Sequence, residues 1–62
     1  MEEIKVIIAD DNEAQRNKLE KALANVEGVS VVGSAASGSD ALELIEKQRP
    51  AVAIIDVILS GA

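Results

Sequence analysis

Residues 4–15 read IKVIIADDNEAQ, an apolar run closed by two adjacent aspartates and followed at once by helix-forming sequence. The run from Ile4 to Ala9 is β-branched and almost unbroken, with Lys5 the exception near its start. A strand covered on both faces reads this way, whereas a strand with one wet face alternates apolar and polar residues. Asn12 is suited to cap the helix that follows, with Gln15 at the position of a capping-box partner. A buried strand that runs directly into a helix is the start of a β-α-β unit, so the fold turns on whether the pattern repeats.

It does repeat. Leu19, Ala22, Leu23 and Val26 recur at i, i+3, i+4, i+7 and predict one buried helical stripe, with Arg16, Lys18, Glu20 and Lys21 off it. Gly28 ends that helix as a natural left-handed cap. Val29, Val31, Val32 and Ala35 predict a second strand, which Gly33 weakens, and the SGSD of residues 37–40 is turn and cap chemistry. Ala41, Leu42, Leu44 and Ile45 carry the second helix, supported by Glu43 and Lys47 at i, i+4 and stopped by Pro50. Residues 51–59, AVAIIDVIL, form the most apolar stretch, and 51–56 is the natural third strand.

Strands alternating with helices imply an α/β fold with a parallel sheet and right-handed crossovers. The predicted strand order is 2-1-3, with the first strand central and the helices on opposite faces. A topological switch point then opens between the first and third strands, where ligands of such sheets bind at the carboxyl ends of the strands.

Composition narrows the chemistry. With 62 residues the chain is one small domain, 1–62, whose core supplies only a few kcal/mol. The absence of Cys and His removes disulfides, thiolate sites and the commonest zinc ligand and general base, so any metal must be a hard cation held by oxygen. The absence of Phe, Trp and Tyr argues against base stacking, and a net charge of −5 without a basic run argues against DNA, RNA or an acidic membrane as direct partners. The opening MEEIKVIIAD lacks signal-peptide features, and no apolar run approaches the ~20 residues of a membrane span, which together predict a cytoplasmic chain.

Asp10 and Asp11 follow the first strand and Asp56 closes the third. With neighbouring strands ~4.8 Å apart, all three carboxylates are expected at one crevice. Two carboxylates at ~4 Å repel by about 4 kcal/mol at an effective dielectric of about 20, and no basic residue beside them in the chain offsets this. A divalent cation, magnesium above all, resolves the repulsion, because it takes a few carboxylates together with water and phosphate oxygens. Two blander roles stay open for these acids: Asp11 as an alternative helix cap and Asp10 as a solvated loop residue. Gly28, Gly33 and Gly38 make neither a dinucleotide fingerprint nor a phosphate loop, and Ser60 has no base to make it a nucleophile.

Three stretches, KVIIADDNEAQRNKL (5–19), VVGSAASGSDALELI (31–45) and RPAVAIIDVIL (49–59), resemble the first half of the receiver domain of bacterial two-component response regulators, which has a flavodoxin-like fold. The ADDN and VVG segments are closer to receivers of transcriptional regulators than to single-domain chemotaxis types. The resemblance implies that Asp56 is the phosphoacceptor, loaded by the phosphohistidine of a separate sensor histidine kinase. It implies that Asp11 is a direct Mg2+ ligand, that Asp10 holds the ion mainly through water, and that Asp56 and the backbone carbonyl of Ile58 complete the protein's ligands. Such a receiver catalyses its own phosphorylation and later hydrolysis and is otherwise not an enzyme.

There are departures. The hydroxyl ending the family's fourth strand and the lysine ending its fifth have no counterpart, so the chain reads as a truncated receiver with impaired activity. Val57, Ile58, Leu59 and Ser60 replace the usual x-x-Met-Pro after the acceptor, and Ala51 stands where an Asp commonly follows the proline. A third strand left on the sheet edge would recruit a partner, and a homodimer through residues 51–59 is expected, with antiparallel pairing of the two edges. The alternative reading is a structural half-fold that self-associates without phosphotransfer. A magnesium-dependent phosphohydrolase is disfavoured, since Asp56-Val57-Ile58 lacks the D-x-D nucleophile pattern.

Overall fold

The structure, a computed structural model, describes residues 3–56. Five elements follow in the order β1 (Ile4–Asp10), α1 (Glu13–Ala24), β2 (Val29–Ala35), α2 (Gly38–Gln48) and β3 (Val52–Asp56). All pairing is parallel and the strand order is β2-β1-β3, as the sequence pattern predicts. The connection from β1 to β2 moves one way across the sheet and that from β2 to β3 moves back over β1. Right-handed crossovers in opposite directions place α1 and α2 on opposite faces.

β1 is the core. Ile7, Ile8 and Ala9 have no exposed surface and Val6 almost none. The unbroken apolar run marks them so, because a central parallel strand is sealed above and below by helices and on both edges by neighbouring strands. Ala9, Ala35 and Ala41 form a buried cluster against which Leu44 packs. Small side chains there let α2 approach the sheet closely. At Gly33 the approach is closer still: a Cβ on that residue would stand 2.8 Å from Leu44 Cδ2. The register slips at this point, Val6 pairing with Val31 and Ile7 with Gly33, so Val32 is bulged out of the ladder. Gly33 therefore does more than weaken the strand: it seats the α2 leucine beside the bulge.

Local signals set the element ends. Asn12 caps α1, its side chain accepting from the Gln15 main-chain N–H at 3.0 Å, and Ser37 caps α2 through the Asp40 N–H at 3.2 Å. Gly28 has φ +84, as its left-handed assignment requires, yet α1 already ends at Asn25. Gly28 instead turns the chain into β2, and its carbonyl accepts from the Ile4 N–H at 2.6 Å.

The expected stripe on α1 is only partly covered. Leu19 and Leu23 are half-buried, while Ala22 is exposed and Val26 remains 47% exposed. Among the described residues the helix packs on β1 and β2, a sheet too narrow to cover its flanks. β3 is more open: it packs along β1, neither helix covers it to any extent, and Val52 and Ile55 keep 46% and 52% of their surface exposed.

Candidate functional site

The three acids arrive by different routes. The β1–β3 register makes Asp10 and Asp56 Cα partners at the carboxyl ends of adjacent strands, on the side of the sheet's switch point. Asp10 is 3% exposed, the one buried charged residue among those described, whereas Asp56 and Asp11 are exposed. Burial of a carboxylate is tolerated only with hydrogen-bond donors at hand, and the chain supplies one locally: the Asn12 N–H donates to Asp10 Oδ1 at 2.9 Å.

That bond settles both blander readings. Asp10 does not point to solvent, and the helix cap is Asn12 rather than Asp11. It also leaves the capping box half made. The Asn12 N–H, which the Gln15 side chain would otherwise receive, is engaged by Asp10, and Gln15 contributes its main-chain N–H alone.

A basic side chain does reach this corner, at the main chain rather than at a carboxylate. Arg16, one turn into α1, sends its guanidinium back to the strand end, where Nη1 donates to the Asp10 carbonyl oxygen at 2.7 Å. Adjacency in sequence misses this contact, because it spans six residues and depends on how α1 leans on β1. The only legible signal is an arginine at the start of the helix, off the apolar stripe.

The donor set can be weighed against magnesium. It consists of carboxylates, the hard oxygen donors that Mg2+ takes. Among the described residues no three His, Cys, Asp or Glu side chains converge closely enough to cage an ion by themselves. Magnesium does not require such a cage, since one or two carboxylates with water and phosphate oxygens suffice. The Asp10–Asp56 pair with Asp11 beside it fits that looser requirement. The carbonyl of Ile58 and the strand extension to residue 59 lie outside the described residues.

Comparison with known proteins bears on the same segment. The family described as response regulator receiver domain matches residues 6–62. The response regulator GacA of Pseudomonas aeruginosa is 40% identical over 58 residues, which span 94% of this chain and 27% of that protein. Protein-glutamate methylesterase/protein-glutamine glutaminase 5 of Myxococcus xanthus is 38% identical over 58 residues, 94% of this chain and 17% of its own length. The chain thus spans about a quarter or less of the curated relatives it matches. Among solved structures, the signal receiver domain of NarL from Mycobacterium tuberculosis superposes with a TM-score of 0.90 at 38% identity, over 98% of this chain and 49% of that one. A parallel β2-β1-β3 sheet, acids at its switch point and these likenesses agree, and the chain belongs to the receiver-domain family of two-component response regulators.

Proposed function

We propose that the chain is the phosphoacceptor portion of a receiver, in which Asp56 accepts a phosphoryl group from the phosphohistidine of a sensor kinase with Mg2+ present. One observation carries the reading: the register of β1 against β3 makes Asp10 and Asp56 partners across adjacent strand ends. In the transfer, an Asp56 carboxylate oxygen forms a bond to phosphorus as the bond from phosphorus to the kinase imidazole nitrogen breaks. That nitrogen keeps the electron pair and takes up a proton. Nucleophile and phosphoryl group are both anionic, so the reaction depends on positioning and charge neutralisation.

The chain's residues divide that work. Asp56 is exposed and open to a donor protein, whereas Asp10 is buried and fixed by the Asn12 N–H. Asp11 is exposed beside it and free to meet an ion. Asp10, Asp11 and Asp56, with the Ile58 carbonyl, are the residues to hold Mg2+. When bound, the ion supplies the positive charge that lets the two anions approach. We place this module in the cytoplasm, upstream of a transcriptional output.

Acetyl phosphate with Mg2+ tests the reading by intact-protein mass. A gain of one phosphoryl group, absent in Asp56→Asn and on chelation of magnesium, supports it. No gain in protein shown to be folded overturns it.

β3 favours a second reading, self-association. Its outer edge is unpaired among the described residues, its side chains are largely exposed, and no charge stands in Val52–Ile55 to discourage pairing. The occupant we assign is a second copy in antiparallel register. Parallel pairing would set two Asp56 residues ~4.8 Å apart, while antiparallel pairing centred on Ile54 separates them by ~13 Å along the strand. Sedimentation should then show a dimer that Ile55→Lys converts to monomer. A monomer at the highest attainable concentration excludes the pairing, and a dimer that neither binds magnesium nor takes phosphate favours the structural half-fold over the signalling module.

A further inference from the structure

Asp11 is exposed, yet both residues flanking it are bonded to a single residue, Asp10 to the Arg16 side chain and Asn12 to the Arg16 main chain. Arg16 Nη1 donates to the Asp10 carbonyl at 2.7 Å, and the Arg16 main-chain N–H donates to the Asn12 carbonyl at 3.0 Å. The Asn12 N–H in turn holds Asp10 Oδ1 at 2.9 Å, and the Asn12 side chain accepts from Gln15. The peptide units on either side of Asp11 therefore sit inside a closed circuit that runs through Arg16. Arg16 is half-buried and its guanidinium reaches the strand end, although an arginine in the first turn of a surface helix can reach water freely.

We propose that Arg16 is a positioning residue for the acidic site, clamping the Asp10–Asp11–Asn12 corner so that the two carboxylates are presented together to a divalent cation. The proposal rests on the reading of these acids as magnesium ligands. Arg16 touches neither the reacting group nor the ion in this scheme and acts through the main chain of Asp10. Groups that orient metal ligands from behind commonly matter about as much as tenfold or more in metal affinity when removed.

Clamp and charge make opposite predictions. Were Arg16 no more than a positive charge near three acids, its removal would make the site more negative and magnesium would bind more tightly. If it is a clamp, removal frees the corner and magnesium binds more weakly. Mg2+ titration of the 62-residue chain, followed by amide chemical shifts, distinguishes them in wild type, Arg16→Met and Arg16→Lys. For the clamp, Arg16→Met raises the Kd by about tenfold, and its metal-free Asn12 amide exchanges faster while β2 and α2 amides do not change. Arg16→Lys keeps the charge without the planar fork, should fold if Arg16→Met does not, and is also weakened.

Unchanged or tighter magnesium binding in both variants overturns the clamp and leaves the metal site standing. Wild-type protein whose Asp10, Asp11 and Asp56 amides do not respond to magnesium overturns the metal reading and the clamp with it. An Arg16→Lys variant that matches wild type while Arg16→Met binds magnesium more tightly assigns Arg16 to charge alone and likewise overturns the clamp.

Discussion

The central strand β1 and the edge strand β3 have almost the same sequence character and opposite surroundings. IKVIIAD and VAIID are both β-branched runs that end in aspartate, and their last five residues pair one to one. β1 is sealed, with Ile7 and Ile8 at 0% exposure, while β3 leaves four of its five residues exposed. The difference lies in what the sequence around them supplies. β1 has a helix over each face and a strand on each edge, while among the described residues β3 packs mainly on β1. A run of apolar residues therefore states that a strand expects cover on both faces, without stating that the cover is present. The two aspartates inherit this contrast: Asp10 is held in place and Asp56 is open.

Truncating one isoleucine in each strand tests the contrast in cover most severely. Ile8 and Ile54 are register partners, and Ile55 follows on the exposed side. Ile8→Ala should cost about 2–5 kcal/mol, the range for a fully buried isoleucine. For a domain of this size that is most of the available stability, so urea unfolding should show little folded protein. Ile55→Ala should cost less than about 1 kcal/mol, as an exposed substitution does. A cost at Ile55 approaching that at Ile8 would mean that the faces of β3 are covered in solution, which edge pairing alone does not bring about.

A smaller effect tests how β1 acquires its cover. Gly33 admits Leu44 of α2 where no Cβ fits without displacement, and this contact holds α2 on the Ala9–Ala35–Ala41 patch. Gly33→Ala should destabilise by about 1 kcal/mol through overpacking, because the atoms that must shift are the far end of the Leu44 side chain. In a Leu44→Ala background the same change should cost nearly nothing, which a double-mutant cycle reads as a coupling of the two sites. Equal costs in the two backgrounds would show that the close approach does not hold α2.

How far the sequence could be read follows the range of each interaction. The Asn12 and Ser37 caps, the positive φ of Gly28 and the strand order were legible, because capping chemistry, glycine's freedom and the handedness of crossovers act locally or by topology. The bulge at Val32 and the purpose of Gly33 were not, since the one is a matter of strand register and the other depends on a leucine one element downstream. Likewise, the pairing of Asp10 with Asp56 followed from topology, but the bond from Arg16 to Asp10 depends on the tilt of a helix, which no spacing rule encodes. The half-covered α1 stripe shows the same limit from the other side, for periodicity identifies a face and leaves open how wide a surface meets it.

The smallest expected effect concerns the turn that aims β3. Arg49 closes α2 in the left-handed region, φ 46 and ψ 59, with its N–H bonded to the Ile45 carbonyl at 2.9 Å. An L-residue with a Cβ pays about 1–2 kcal/mol for that conformation, and glycine does not. Glycine also gives the unfolded chain more freedom, a loss of up to about 1 kcal/mol. The net expectation for Arg49→Gly is stabilisation by about 0.5 kcal/mol, read as a rise in the urea midpoint with unchanged slope. Arg49→Ala keeps the Cβ and should gain nothing. The pair separates backbone strain from loss of the arginine's charge, because both variants remove the charge and only one relieves the turn. Equal midpoints for the two would place the cost elsewhere and leave β3 aimed by its pairing with β1 rather than by this turn.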